Sequence, residues 1–272
     1  MTSGDRAQVV VAGGGPAGAV AALVLARRGA EVLLLDRARF PRPKPCGQFV
    51  GPAGARLLGA LGLWEAVRVA GASPIHGIRI EAPDGSVLFG HFPEGPNDVP
   101  VAFALSRERL DAALLAMARL AGVRILEGHQ VIAVEAGPTE VVLRTRAGRD
   151  LRTLRAEWVI GADGRHSAVA RALGLSRRLL RLRRFGILAD FADFPQTGDT
   201  AELFVGRGAY CIINPLAGGQ ACLGLVTDWS PEDCRGDLAE LLARHLAAFP
   251  AVAQRVARAR LIGRPYGVGP LA

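Results

Sequence analysis

Three glycines near the N-terminus have the spacing of a phosphate-binding turn. They are Gly13, Gly15 and Gly18. The apolar run 8–12 precedes them, and an apolar segment, 16–28, begins within them. In such a turn the first glycine permits the bend, the second lets the backbone approach a pyrophosphate, and the third allows close helix–strand packing. The pattern predicts a dinucleotide site at a helix N-terminus; a glycine-rich turn without a ligand is the alternative.

An acidic residue stands where the ribose of a dinucleotide would lie. Asp36 follows the second apolar run, 31–35. A carboxylate at this position hydrogen-bonds ribose hydroxyls and disfavours a 2′-phosphate. The glycines and this acid together do not distinguish NAD from FAD.

The elements that must position these residues form a βαβ unit. Strand 8–12, helix 16–28 and strand 31–35 predict a parallel sheet that is covered on both faces. A helix from Ser106 to about Gly122 and a turn at 161–164, followed by a short helix, extend this unit. The two strands around residues 83–85 read as a hairpin.

The pattern changes after Gly174, where short strands predict an antiparallel sheet followed by helices. The predicted strands are 185–194, 201–205, 209–214 and 221–227, and the predicted helices are 237–249 and 252–259.

Four segments together resemble flavoproteins of the p-hydroxybenzoate-hydroxylase and geranylgeranyl-reductase superfamily in order and spacing. They are the opening 9–37, the loop FPRPKPCG (Phe40–Gly47), the helix start RERLD (Arg107–Asp111) and the turn GADGRHS (Gly161–Ser167). The resemblance implies FAD as cofactor, with NAD(P)H as a candidate electron donor. It also implies an α/β fold: a Rossmann-like FAD-binding domain of glutathione-reductase type, hydroxylase subgroup, with an inserted, mainly antiparallel β substrate domain.

The resemblance and the glycine turn define a set of expected cofactor contacts. They are Gly13, Gly15, Pro16, Ala17, Gly18, Asp36, Arg37, Cys46, Gly47, Arg107, Asp163 and Gly164. Arg107 is unfavourably placed for the dipole of its helix, and a nearby phosphate would explain it; a solvent-facing arginine is the alternative. Asp163 lies between glycines and reads equally as a turn or cap residue.

Lys44 and Cys46 are the catalytic candidates. They lie in a Pro-rich loop after the second strand, where a lid over the flavin ring would sit in the family that the chain resembles. An inert loop cysteine is the alternative. The loop favours a geranylgeranyl-reductase-like reaction.

Composition excludes several classes of protein. Half of the 272 residues are apolar and the formal net charge is +8, so neither a disordered chain nor a collagen-like rod fits. All but one of the 33 basic residues are arginines, so part of this charge reflects composition rather than a binding surface. The cysteines, which are Cys46, Cys211, Cys222 and Cys234, lack zinc-type spacing, so we expect no metal and reduced thiols in the cytoplasm.

Two further segments have competing interpretations. The N-terminal apolar stretch resembles an export signal, but its glycine cluster favours a strand–turn–helix. The arginine-rich run 177–184 suits a solvated linker, a diphosphate-bearing substrate or peripheral contact with an anionic membrane. No aromatic residues are interleaved with these arginines, so we expect no nucleic-acid partner.

The domain prediction divides the chain three ways. Residues 1–74 and 96–184 form the FAD-binding domain, residues 75–95 and 185–263 the substrate domain, and residues 264–272 begin a return to the first. The family carries a later "GDAA…P..G.G" motif that these residues do not contain. We therefore expect a fragment, a frameshifted product or half of a split protein.

Three functions follow as hypotheses. The first is an FAD-dependent oxidoreductase of an apolar small molecule, reducing an isoprenoid double bond or, alternatively, hydroxylating or halogenating an aromatic or polyketide substrate. The second is a non-catalytic remnant of the FAD fold. The third is an NAD-dependent dehydrogenase, which the late turn at 161–164 disfavours.

Overall fold

The computed structural model describes residues 5–95, 99–177, 184–228 and 235–271. Within those ranges the chain forms two compact units, residues 1–43 with 107–177 and residues 44–106 with 178–272. Positions 178–183 of the arginine-rich run, and Cys234, lie outside the described residues.

The described residues form the following strands and helices. The strands are β1 (Arg6–Ala12), β2 (Val32–Asp36), β3 (Phe49–Val50), β4 (Ser73–Ile75), β5 (Gly77–Glu81), β6 (Val87–His91), β7 (Ala102–Ala104), β8 (Arg124–Glu127), β9 (Gln130–Ala136), β10 (Val141–Ala147), β11 (Asp150–Gly161), β12 (Arg184–Ala192), β13 (Thr200–Val205), β14 (Ala209–Leu216), β15 (Gln220–Thr227) and β16 (Arg260–Leu271). The helices are α1 (Pro16–Arg27), α2 (Pro52–Ala60), α3 (Trp64–Val69), α4 (Arg107–Leu120), α5 (Ala168–Ala172), α6 (Leu238–Leu246) and α7 (Pro250–Val256).

The first unit is built on a six-stranded sheet in the order β8-β2-β1-β11-β10-β9. The first four of these strands run parallel, and β10 and β9 are antiparallel. All five residues of β2 are buried, as expected of a central parallel strand that is covered on both faces. This sheet, with α1, α4 and α5, confirms the predicted Rossmann-like α/β fold.

Local signals explain where α1 begins and ends. Pro16 occupies its first turn, where the missing N–H costs nothing. Gly29, with φ of +87°, follows its C-terminus in the left-handed conformation that glycine adopts most readily.

The second unit contains a seven-stranded sheet in the order β16-β12-β15-β14-β13-β5-β6 and a three-stranded sheet in the order β3-β7-β4. All neighbours in the larger sheet are antiparallel except β13 and β5. One face packs against α6 and α7 in a core that includes Leu223, Leu225, Leu241 and Leu242. The mainly antiparallel second part of the fold is thereby confirmed.

The unit boundaries differ from the predicted domain boundaries. Residues 44–74 and 99–106 lie in the second unit, because β3 and β4 both pair with β7. Residues 264–271 belong to β16, which pairs with β12 from Arg184↔Leu271 to Ala192↔Arg260. That these residues begin a return to the first unit stays a prediction.

Among the described residues, no helix combines the length and the apolar character needed to cross a membrane.

Candidate functional site

The glycine turn of the first unit is shaped by contacts that only glycine permits. Gly13 has φ of +107°, and a Cβ there would lie 2.2 Å from the carbonyl oxygen of Ala162. A Cβ on Gly18 would lie 1.8 Å from the carbonyl oxygen of Gly13. These two glycines therefore allow the end of β1, the start of α1 and the turn after β11 to meet.

Gly15 is different, because a Cβ there would fill space rather than strike the backbone. Its nearest neighbour would be Arg107 Nη2, at 3.6 Å. Gly15 is also the N-cap of α1, whose first turn carries no acidic side chain. An anion at this helix end would meet main-chain N–H groups and the positive end of the helix dipole.

Asp36 ends β2 beside this turn, and its carboxylate organises two main-chain segments. Oδ2 accepts a hydrogen bond from the N–H of Gly14 at 2.7 Å, and Oδ1 accepts one from the N–H of Ala38 at 2.8 Å. The side chain is 10% exposed. A carboxylate offers about four acceptor positions, so capacity remains for a ligand hydroxyl.

Arg107 is held by a carboxylate that sequence reasoning did not single out. Asp111, which is fully buried one turn along α4, accepts from Arg107 Nε at 2.8 Å and from Nη2 at 2.9 Å. Arg42 Nη1 lies 3.2 Å from Asp111 Oδ2, an ion pair outside hydrogen-bond geometry. The hydrogen bonds between Arg107 and Asp111 explain how an arginine is tolerated at a helix start. They also fix the Arg107 guanidinium near Gly15.

The two carboxylate oxygens of Asp163 differ in their hydrogen bonding. Oδ2 accepts from the N–H of Ala168 at 2.6 Å, which ties the turn to the start of α5. Ser167 caps the same helix by accepting from the N–H of Ala170. Asp163 Oδ1 is buried and has no hydrogen-bond partner among the described residues. A buried acceptor left in this state is costly unless a ligand donor meets it.

The remaining predicted contacts of the first unit are placed as follows. Pro16 and Ala17 open α1, Arg37 is exposed directly after β2, and Gly164 has φ of +80° with open space where a Cβ would be. Their contact with a cofactor stays a prediction.

Lys44, Cys46 and Gly47 lie in the second unit, unlike the other predicted site residues. Lys44 is exposed and Cys46 is half-buried. The Cys46 carbonyl oxygen lies 3.6 Å from the Sγ of Cys222, and the Gly47 carbonyl oxygen accepts from Asn214 Nδ2 at 2.7 Å. These contacts fix the loop backbone, whereas a catalytic role for Lys44 and Cys46 stays a prediction.

Two of the cysteines are unreactive by environment. Burial raises the pKa of the Cys211 thiol and of the Cys222 thiol well above the ordinary value. The Asp190 carboxylate beside Cys222 raises its pKa further. Both side chains therefore remain thiols at neutral pH.

The residues of the first unit fit FAD. The open space at Gly15 and the uncapped start of α1 suit a pyrophosphate, and Asp36 has acceptor capacity left for a ribose hydroxyl. The orphaned Asp163 Oδ1 suits a further hydroxyl donor of such a ligand.

Comparison with known proteins gives the same cofactor. Residues 6–220 match the family model described as an FAD binding domain. Menaquinone reductase of Mycobacterium tuberculosis is 33% identical over 237 residues, which cover 83% of this chain and 56% of that protein. 6-Methylpretetramide 4-monooxygenase of Streptomyces rimosus is 33% identical over 174 residues, which cover 63% of this chain and 42% of that protein.

A solved structure shares the architecture. The flavin-dependent halogenase CmlS superposes with a TM-score of 0.87 at 26% identity, over 97% of this chain and 49% of that one. This chain thus spans about half the length of the curated relatives it matches.

Proposed function

Because this chain belongs to the family of FAD-binding domains, we propose that it is an FAD-dependent oxidoreductase that acts on an apolar small molecule. The observation that carries the proposal is the buried Asp163 Oδ1, which no donor of the described residues meets. It lies in the same unit as Gly15, where a Cβ would have room. FAD, when bound, supplies the electron transfer that amino-acid side chains cannot provide.

The chain's own residues hold and orient the cofactor. The N–H groups at the start of α1 receive the pyrophosphate, and the adjacent Arg107 guanidinium offsets its charge. The Asp36 and Asp163 carboxylates accept from hydroxyls. This division of tasks needs no metal.

The finer proposal is reduction of an isoprenoid double bond, with NAD(P)H as the electron donor. The loop 40–47, of geranylgeranyl-reductase type, favours it, as does similarity to a protein named menaquinone reductase. In the second unit, half-buried Leu188 and Ile212 lie on the sheet face opposite the α6 and α7 core and suit an apolar chain.

Oxygen insertion is the second candidate. An equal identity, 33%, links the chain to a protein named as a 4-monooxygenase. The two reactions differ in a measurable way, because reduction adds two hydrogens to the substrate whereas monooxygenation consumes O₂ and adds oxygen.

The proposed setting is a reducing compartment, the cytoplasm. Cys46, Cys211 and Cys222 are all free thiols, which supports this. Peripheral contact with an anionic membrane is a separate proposal. It rests on the arginine-rich run, and most of that run lies outside the described residues.

The test incubates the FAD-loaded chain with NADPH and geranylgeraniol, first without oxygen and then in air. The reductase proposal expects a product heavier by two hydrogens in the anaerobic sample. Oxygen consumption with an oxygenated product of an aromatic substrate would replace the reductase proposal with the monooxygenase. Peroxide formation with no change in any substrate would contradict both. Gly15→Val is the control, since it should remove the cofactor and with it any product.

A further inference from the structure

Three polar side chains form one row across neighbouring strands of the second unit. The strand register pairs Asp190 of β12 with Cys222 of β15, and Cys222 with Asn214 of β14. Residues directly opposite one another in a sheet lie on the same face. The alternating residues of these strands pack in the core with α6 and α7, so this polar row lies on the other face.

The loop residues 46–48 cover the polar row, and each of them contacts it. The Cys46 carbonyl oxygen lies against the thiol of the row, and the Gly47 carbonyl accepts from its asparagine. Gln48 Nε2 donates to Asp190 Oδ1 at 2.5 Å. The three contacts fix both the path of the loop and the direction of the Gln48 amide.

The amide oxygen of Gln48 is the second feature of this contact. An ionised carboxylate can only accept, so Gln48 must turn its nitrogen to Asp190 and its oxygen away. Gln48 is 8% exposed, and its Oε1 has no hydrogen-bond partner among the described residues. Its backbone is also left-handed, with φ of +58°. A buried acceptor in this state is the kind of group that a ligand donor would satisfy.

The surroundings indicate the rest of the ligand. The Asp190 carboxylate and the Oε1 of Gln48 together form an acceptor pair. The adjacent row on the same face is apolar and consists of Leu188, Gly224 and Ile212. A Cβ on Gly224 would lie 3.2 Å from Leu188 Cδ2, so the leucine side chain covers the glycine.

We propose that Gln48 Oε1, oriented by Asp190, accepts a hydrogen bond from a hydroxyl group of the substrate, whose apolar body lies along Leu188 and Ile212. The inference rests on the proposed function, because it specifies which apolar molecules the oxidoreductase takes. An apolar molecule without a donor would leave Gln48 Oε1 unsatisfied. Asp190 is a positioning residue in this account, since it acts through the amide of Gln48.

Three naphthalene probes separate the donor from the apolar body. 1-Naphthol carries a hydroxyl, 1-methoxynaphthalene has the same oxygen without its hydrogen, and 1-naphthylmethylamine carries an ammonium group. Binding is measured by equilibrium dialysis on the 272-residue chain, with FAD and without it. We expect 1-naphthol to bind roughly tenfold more tightly than 1-methoxynaphthalene, the size of one hydrogen bond.

Two variants test whether Gln48 and Asp190 cause this preference. Gln48→Met keeps the length of the side chain and removes the acceptor, so the preference should fall to about one while binding of 1-methoxynaphthalene is unchanged. Asp190→Asn gives Gln48 Oε1 a protein donor and should also abolish the preference. Gln196→Met is the matched control, because Gln196 is an exposed glutamine of the same unit with the same left-handed backbone, φ of +57°. It should keep the preference.

The outcomes that overturn the proposal are distinct from failure of the proposed function. Equal binding of naphthol and its methyl ether, no binding of any probe, or a preference that survives in Gln48→Met would each refute a hydroxyl-accepting role. Tightest binding of the ammonium probe would assign Asp190 to a cation site instead. FAD retention, read separately from the flavin absorbance, decides the proposed function and is independent of these ratios.

Discussion

The two aspartates of the first unit illustrate how one residue type serves structure and ligand together. Asp36 uses both of its oxygens on main-chain N–H groups, so it shapes the turn and contacts a ligand only with its remaining lone pairs. Asp163 uses one oxygen on the start of α5 and keeps the other buried and unpartnered. The second arrangement points more strongly to a ligand, because a ligand donor at Oδ1 would remove its desolvation cost.

Asp163→Asn should weaken FAD binding while the fold is kept. The amide oxygen can still accept from the N–H of Ala168, but the amide nitrogen then presents a donor where Oδ1 presented an acceptor. We expect a loss of about 1–3 kcal/mol in FAD affinity, measured by flavin fluorescence titration. Ser167→Ala is the control, since it removes a cap of the same helix and leaves Oδ1 untouched. An equal loss in both variants would show that the role of Asp163 is structural.

Asp36→Ala should also weaken FAD binding, again by about 1–3 kcal/mol, and it should lower stability as well. The stability loss follows because the N–H groups of Gly14 and Ala38 lose their acceptor. Asp84→Ala is a matched control, as Asp84 accepts from the N–H of Ser86 two residues ahead in an exposed turn. That variant should bind FAD normally. Wild-type affinity in Asp36→Ala, by the same titration, would remove this residue from the site.

Cys46, Cys211 and Cys222 should react with alkylating reagents at rates that fall as the burial of the thiol increases. Burial raises the pKa of Cys211 and Cys222, so their reactive thiolate fraction at pH 8 is smaller than that of an ordinary thiol. Cys46 is only half-buried. Iodoacetamide labelling followed by peptide mass mapping should modify Cys46 before either of the other two. Equal labelling rates would contradict the buried environments.

The residues proposed to contact the pyrophosphate were easier to find from the sequence than Asp111 and Gln48. The spacing of Gly13, Gly15 and Gly18 is a strong local pattern. Asp111 and Gln48 have no such pattern; the one available signal for Asp111 was its position four residues after Arg107 on a helix. The contact of Gln48 with Asp190 joins residues 142 positions apart, which periodicity cannot predict.

At the level of secondary-structure elements, two glycines at the start of α1 have different roles. Gly18 is needed for packing, because a Cβ there meets the Gly13 carbonyl oxygen. A Cβ on Gly15 would meet only Arg107 Nη2, at an ordinary contact distance of 3.6 Å. We therefore expect substitution of Gly18 to impair folding and substitution of Gly15 to impair cofactor binding.

Gly18→Ala should lower the free energy of unfolding by roughly 1–3 kcal/mol or more, because α1 must move to accommodate the methyl group. Gly15→Val should unfold at nearly the wild-type temperature but lose FAD, since its side chain occupies the place of the pyrophosphate. Gly198→Ala is the control, as a Cβ there meets nothing within 4 Å and its φ is not left-handed. Thermal unfolding and flavin content are measured on all three. A Gly15→Val protein that keeps its flavin would refute the assigned position.

The longest strand that the sequence did not predict is β16. Its sequence RLIGRPYGVGPL contains three glycines and two prolines, residue types that usually mark turns. The strand forms nevertheless because it lies at the edge of the seven-stranded sheet, where proline is tolerated. Elements with regular apolar patterns, such as β1 and α1, needed no such context.

In the molecule as a whole, the candidate site residues are divided between the two units. The first unit carries the glycine turn, Asp36, Arg107 and Asp163, and the second carries the loop 44–48 with the polar row. The fold class could be predicted because parallel strands and antiparallel strands have different apolar patterns. The unit boundaries could not, because they depend on the pairing of the very short strands β3, β4 and β7.

The most direct test of the account is the absorbance spectrum of the purified chain from 300 to about 550 nm, after addition of FAD and desalting. We expect the chain to retain flavin bands in near-stoichiometric amount, and we expect Gly15→Val, equally folded by circular dichroism, to retain none. A folded wild-type chain that retains no flavin, or a Gly15→Val chain that retains as much as the wild type, would contradict it.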